Sequence, residues 1–147
     1  MDRTAIEKQL TVDEGEVLSV YADSLGKLTC GKGHLLLESD GIPMVVGTPI
    51  SQEQCDALFQ NDLNHAITHC EILFPALMTY PEVAQDSLVN MIFNLGQAGL
   101  AKFVHFCAAV RNEDWEEAVA QLEGTPWQKQ VGQRADRIIA AFSSLIA

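Results

Sequence analysis

The chain is poor in positive charge: nine Lys and Arg stand against twenty Asp and Glu, for a formal net charge of -11. That balance excludes nucleic acid as a partner, because its affinity rests on Lys and Arg neutralising phosphates. No run of about 18 apolar residues occurs, so neither a membrane span nor membrane insertion is expected. The opening Met1-Asp2-Arg3-Thr4 lacks the basic start and apolar stretch of a secretory leader, and Asp13, Glu14 and Glu16 follow soon after, which predicts a chain that stays in the cytoplasm unless something else exports it. There is no repeat, low-complexity tract or Gly/Ser linker. The four cysteines, Cys30, Cys55, Cys70 and Cys107, have no C-x-x-C spacing, which suits neither a zinc site nor a disulfide framework, so reduced, packed thiols are expected. His65 and His69 stand four apart with Cys70 adjacent, but no spacing signals further ligands, and no metal site is expected.

What is present is enough apolar material, 48% of 147 residues, to bury a core in one fold unit that can be split into two lobes. The acid excess is uneven: residues 1 to 74 carry twelve acidic and four basic residues, and 75 to 147 carry eight and five. Near the C-terminus Lys129, Arg134 and Arg137 make a small basic region.

The pattern changes near residue 50. Residues 4 to 13 read as a short helix with Ile6 and Leu10 on one face, stopped by Gly15. Residues 16 to 22 alternate Leu18, Val20 and Ala22 against Val17, Ser19 and Tyr21, the period of a strand. Asp23-Ser24-Leu25-Gly26 has the residue preferences of a type I turn, so 27 to 30 can return as a paired strand. Gly31-Lys32-Gly33-His34 reads as a second tight bend before a third strand over 35 to 37, whereas 39 to 50 is turn-rich and has no assignable pattern. Ser51 with Gln54 forms a capping-box signature, opening a helix that reaches about 36 Å if it runs to Phe74. Beyond Pro75 the pattern is helical. Residues 88 to 95 are apolar on nearly every side, as in a buried helix, and amphipathic segments follow at 103 to 111, 114 to 122 and 133 to 146. The expected class is α+β: a small antiparallel sheet lobe (about 13–50), a connecting helix (51–74), and a larger helical lobe (75–147 with the N-terminal helix), all in one domain.

Two carboxyls stand out. Glu14 occupies the last turn of the first helix, where the carbonyl end of the helix dipole disfavours negative charge, and a protonated carboxyl is what a glycosidase needs to protonate a leaving oxygen. Asp23, nine residues on at the strand turn, can supply the second carboxyl, and Thr29 on the return strand can hold a water between them. Singly, each has a plainer reading: surface glutamate, turn aspartate, strand threonine.

As a set, Asp13-Glu14-Gly15, Tyr21-Ala22-Asp23 and Gly26-Lys27-Leu28-Thr29-Cys30-Gly31-Lys32-Gly33-His34-Leu35-Leu36 closely resemble the catalytic lobe of the phage-type lysozymes, glycoside hydrolase family 24. The resemblance continues through Ser51 to Asp62, through Asn90-Met91-Ile92-Phe93-Asn94-Leu95-Gly96, and through Trp127 with Gln133-Arg134-Ala135-Asp136-Arg137. It implies a lysozyme-like fold and cleavage, without a cofactor, of the β-1,4 bond between N-acetylmuramic acid and N-acetylglucosamine in bacterial peptidoglycan, with inversion. Under it Glu14 is the acid, Asp23 orients or activates water and Thr29 shares that water; inversion requires carboxyls roughly 6.5 to 9.5 Å apart. His34 and Arg134 match residues that support the site, Arg134 beside Glu14, while Leu35, Phe93 and Asn94 match sugar-contacting walls. Plainer readings stand beside these: core for Phe93, a structural histidine for His34, and a surface ion-pair partner for Arg134. The implied biology is a monomer held in the host bacterial cytoplasm until released to the cell wall for lysis. The segment between His34 and Ser51 is shorter than in long family members, and Cys30 reads as packing. Two other roles fit the same resemblance: a catalytically silent glycan-binding or phage-assembly protein, which the acidic charge favours and the intact Glu14, Asp23 and Thr29 oppose, and a tail-associated or toxin enzyme.

Overall fold

A computed structural model describes residues 1–147, and the chain divides into two compact units, Glu7–His65 and Met1–Ile6 with Ala66–Ala147. Helix α1 (Arg3–Glu14) is opened by Asp2, whose Oδ1 accepts from Ala5 N–H at 3.0 Å, and it buries Ile6 and Leu10. It ends where Gly15 takes φ +70° and its N–H reaches Thr11 O at 3.0 Å.

The sheet of the first unit has strand order β1 (Val17–Ala22), β2 (Leu28–Gly31), β3 (His34–Leu35), all antiparallel. Tyr21 faces Thr29 and Thr29 faces Leu35 across the ladders. A bulge between Val17 and Tyr21 puts the start of β1 out of phase, so of the three residues expected on the inner face only Val20 is buried, while Leu18 and Ala22 are exposed. The third strand is shorter than the expected 35 to 37. Leu36 N–H still bonds Leu28 O at 2.9 Å, but Leu37 N–H is captured by Asp40 Oδ2 at 2.8 Å, which turns the chain into a 3-10 turn over Glu38–Asp40. The patternless stretch after it lines the free edge of β1, through Val20 N–H to Thr48 O (2.9 Å), Gly47 N–H to Val20 O (2.8 Å) and Ile50 N–H to Leu18 O (3.0 Å). The core here is small: Val20, Cys30, Leu36, Ile42, Ile50 and Cys55.

Helix α2 (Gln52–Leu73) starts with the expected reciprocal cap, Gln54 N–H to Ser51 Oγ at 3.0 Å and Ser51 N–H to Gln54 Oε1 at 2.9 Å. Its buried stripe runs Cys55, Phe59, Leu63, Ala66, Cys70. Arg111 donates through Nε and Nη2 to the terminal Leu73 carbonyl, at 3.1 and 3.0 Å.

The second unit contains α3 (Glu82–Ala101), α4 (Val104–Arg111), α5 (Trp115–Leu122), α6 (Pro126–Val131) and α7 (Gln133–Ser143). α4 packs on α5, and α7 on α3, α5 and α6. The apolar run of α3 is buried from Leu88 to Ile92, and the helix breaks at Gly96 (φ +73°, ψ 166°). α6 lacks a periodic signature because it is only six residues long; its sequence mark is Thr125 as N-cap followed by Pro126. α7 stops at Ser143 rather than Ile146, the chain closing with tighter bonds from Leu145 N–H to Phe142 O (3.0 Å) and Ile146 N–H to Ser143 O (3.1 Å). Phe142 takes the edge of Phe106 (5.6 Å between centroids) and stacks on Trp115 (6.0 Å), which meets Tyr80 edge-on (5.8 Å). No helix is long and apolar enough to cross a membrane.

Candidate active site

The sheet unit brings Glu14, Asp23, Thr29, His34 and Leu35 onto one small scaffold. Glu14 is the last residue of α1, and its carboxylate lies against the backbone of the β2–β3 bend: a Cβ on Gly33 would sit 2.5 Å from Glu14 Oε2 and 3.2 Å from its Cδ. Gly33 has φ +68°, so both the bend and the close approach require glycine there. Asp23 heads the β1–β2 turn and is locked into it. Its Oδ1 accepts from Leu25 N–H and Lys27 N–H, both at 2.8 Å, its N–H bonds Lys27 O and its carbonyl accepts from Gly26 N–H, both at 2.9 Å. Oδ2 takes no part in these bonds. Thr29 is buried, and its hydroxyl donates to Lys27 O at 3.1 Å. Tyr21 stands opposite Thr29, and its phenol pKa is raised by burial first and then by the nearby Glu14 and Asp23 carboxylates.

His34 is buried between two carboxylates, Nδ1 to Asp62 Oδ2 and Nε2 to Asp40 Oδ2, both at 2.7 Å. Its hydrogen bond to Asp62 above all, then that to Asp40 and the charges of both, outweigh burial and raise its pKa to about 9, so it is an imidazolium at neutral pH. It therefore clamps β3 to the 3-10 turn and to α2, directly beside Gly33. Cys30, next to Thr29, is fully buried with its thiol pKa raised by burial, then by Asp40 and Asp62, in keeping with packing. Leu35 is half exposed.

The remaining sequence-predicted residues belong to the helical unit. Phe93 and Asn94 are half-buried, so Phe93 is not plain core. Asn94 Oδ1 accepts from Trp127 Nε1 at 3.1 Å. Arg134 is buried, donating from Nε to Asn90 Oδ1 at 2.8 Å and from Nη2 to Asn90 O at 3.4 Å. It is thereby removed from the expected basic surface region, which reduces to Lys129 and Arg137.

The four cysteines are free and buried, and His65 and His69 are exposed where Cys70 points into the core. One group of metal-capable atoms, on Glu16, Cys55 and Asp56, lies within 4.8 Å. It is already tied by Gln52 Nε2, which donates to Glu16 Oε1 (2.7 Å) and Asp56 Oδ1 (2.9 Å), and burial first, then Glu16, pushes the Cys55 thiol up to about 11.

Sequence reasoning missed Gly33, Tyr21, the partners Asp40 and Asp62, and Asn90. The bend over 31 to 34 marked Gly33 as a turn residue, but its contact with Glu14 joins segments nineteen positions apart and has no local signature. A family model described as phage lysozyme matches residues 12–140. The chain is similar to "Probable T4-type lysozyme 2" of Dictyostelium discoideum, 26% identical over 96% of this chain and 95% of that protein. It is also similar to the endolysin of Salmonella phage P22, 33% identical over 63% of this chain and 62% of that one. A third relative is the pre-baseplate central spike protein Gp5 of Enterobacteria phage T4, 29% identical over 91% of this chain but 27% of the spike protein.

Proposed function

Because this chain belongs to the phage lysozyme family, we propose that it is a muramidase that hydrolyses the β-1,4 bond between N-acetylmuramic acid and N-acetylglucosamine in peptidoglycan by inversion, for host cell lysis. The observation that carries the reading is the shared scaffold of two carboxylates and a buried threonine: Glu14 on the Gly33 bend, Asp23 locked in its turn, and Thr29 on β2 opposite Tyr21.

In this reading Glu14 gives its proton to the glycosidic oxygen as the bond breaks. The attacking water is set by acceptors. Asp23 is held by Oδ1, which leaves Oδ2 to accept from the water, and Thr29, whose own proton goes to Lys27 O, accepts the second hydrogen. With both its hydrogens engaged, the water turns a lone pair toward the anomeric carbon, and Asp23 takes the proton it loses. The Glu14 proton ends on the leaving hydroxyl, so the step balances. His34 supports the site by fixing the Gly33 bend; Arg134 is a further supporting residue, and Leu35, Phe93 and Asn94 are sugar contacts.

The test is clearing of outer-membrane-stripped bacteria by wild type and by Glu14→Gln. The variant keeps the fold and loses about 10²- to 10⁴-fold or more in rate, and fresh products read by proton NMR carry the α-anomer first. Near-full activity in folded Glu14→Gln overturns the assignment and favours a silent glycan-binding or assembly role; initial β-anomer overturns the role of Asp23.

A further inference from the structure

The β2–β3 bend on which Glu14 rests has little of its own to hold it. Gly31 and Gly33 take φ +61° and +68°, and Gly33 is the residue that meets the Glu14 carboxylate. Glycine supplies that conformation and the close approach, but no side chain with which to fix either. The placement of the bend therefore falls to the two residues that flank Gly33, Lys32 and His34.

Both reach α2. His34 Nδ1 meets Asp62 Oδ2 at 2.7 Å, and the Lys32 ammonium lies over the ring of Phe59, 4.4 Å from its centroid. Phe59 and Asp62 are three apart on α2 and so share one face of it. Phe59 is buried, which makes its ring a fixed seat, while Lys32 is half-buried and lays its stem along the same surface. The seat is aromatic and not ionic: Lys32 forms no salt bridge, and the nearby Glu16 is engaged instead by Gln52 Nε2 (2.7 Å) and Cys55 Sγ (3.4 Å). His34 thus anchors the bend after Gly33 and Lys32 anchors it before, both within the sheet unit.

Resting on the hydrolytic reading above, we propose that Lys32 is a positioning residue for Glu14: seated on Phe59, it pins the Gly33 bend to α2 and so fixes where the acid carboxylate stands. Lys32 acts through the bend and needs no contact with sugar. A displaced carboxylate is felt when the proton is transferred rather than when glycan binds, so loss of the seat belongs in kcat and not in KM.

The experiment compares four variants with wild type on peptidoglycan at a temperature where all are folded. Lys32→Met keeps the length of the stem and removes the charge, Lys32→Arg keeps a cation for the ring, and Phe59→Leu keeps an apolar side chain and removes the ring. Lys8→Met, at an exposed position of α1, makes the same change in net charge. Lys32→Met should lower kcat about three- to tenfold with KM little changed, Lys32→Arg should return to within about twofold of wild type, and Lys8→Met should leave kcat unaltered. Phe59→Leu should lose about as much as Lys32→Met, and the two together no more than either alone, because they remove the same contact. Should Phe59→Leu fail to fold, Lys32→Met against Lys32→Arg decides. In parallel, the Glu14 side-chain carboxyl and Gly33 amide signals of 13C,15N-labelled protein should shift in Lys32→Met and return in Lys32→Arg. If wild type hydrolyses nothing yet those signals behave so, the hydrolytic reading fails and the placement of Glu14 by Lys32 stands. Signals that ignore Lys32→Met, a kcat equal to wild type, a loss matched by Lys8→Met, or losses that add in the double variant overturn the assignment.

Discussion

The two units of this chain are stabilised by different means. The helical unit, Met1–Ile6 with Ala66–Ala147, carries ten acidic and six basic residues and most of the fully buried large side chains, Phe74, Leu77, Leu88, Met91, Leu100, Phe106, Leu122 and Phe142 among them. The sheet unit, Glu7–His65, carries ten acidic and three basic residues over a core cluster of six. What it lacks in apolar volume it makes up in polar fastening: the Asp23 turn, the Ser51–Gln54 cap, and above all His34 between Asp40 and Asp62. The residues proposed for chemistry stand in the unit that is fastened by charge, so its stability should respond to pH in a way that the helical unit's does not.

The largest expected effects test that contrast directly. Leu88→Ala, in a fully buried position of α3, should cost about 2 to 5 kcal/mol at any pH, because it removes buried methyl groups and leaves a cavity. His34 behaves otherwise. Its pKa is raised from 6.5 to about 9 in the fold, so the protonated form is bound more tightly by the native state. The stabilisation is fully present below the unfolded value and is lost as pH rises through about 9, on the order of 2 to 3 kcal/mol in all. Thermal melts of wild type and His34→Gln across pH 6 to 10 should therefore converge at the alkaline end, while Leu88→Ala stays parallel to wild type. Curves of wild type and His34→Gln that remain parallel would mean that the clamp does not depend on the imidazolium charge.

How much of this was legible in sequence follows from the range of the interactions involved. The cap at Ser51, the stop at Gly15 and the Asp23 turn are local, each closed within four residues, and each was read with its chemistry intact. The set of Glu14, Asp23 and Thr29 was suggested only by the resemblance to the family, since each residue alone has a plainer reading. The packing of Glu14 on Gly33, the Asp62 partner of His34 and the Asn90 partner of Arg134 were not legible, because they join positions 19, 28 and 44 apart in the chain. The shortened third strand and the half-empty alternation of β1 also escaped, since a side-chain capture by Asp40 and a bulge override periodicity without altering it.

Two glycines of the sheet unit sharpen the comparison from within. Gly33 and Gly41 have nearly the same backbone, φ +68° and +71°, but a Cβ on Gly33 meets Glu14 whereas one on Gly41 meets nothing within 4 Å. Alanine at either position should cost about 1 to 2 kcal/mol of backbone strain. Only Gly33→Ala should also displace the Glu14 carboxylate, lowering kcat by about tenfold or more, since misplacing a reacting group by about 1 Å can cost 10²-fold. Equal kcat in the two variants, measured at a temperature where both are folded, would show that Glu14 tolerates displacement and would weaken its proposed role as acid.

The smallest effect concerns how the more acidic unit meets its proposed substrate. An anionic cell wall repels a chain of net charge -11, and the burial of Arg134 leaves only Lys129 and Arg137 of the basic region to offset it locally. Salt shortens the Debye length from about 30 Å at 0.01 M to about 10 Å at 0.1 M, so clearing of cell walls should rise a few-fold over that range. Repulsion acts on encounter, so the change belongs in kcat/KM, and kcat on short soluble glycan fragments should stay level. The sheet unit can be isolated as the cause by neutralising charges that hold no partner in the proposed site. Glu38→Gln and Glu53→Gln together should flatten the salt dependence, since both side chains are exposed and lie outside the His34 clamp and the Glu14 bend. Clearing that falls steeply with salt instead would mean that attraction through Lys129 and Arg137 governs the encounter, and that the acid excess of the sheet unit is no obstacle to it.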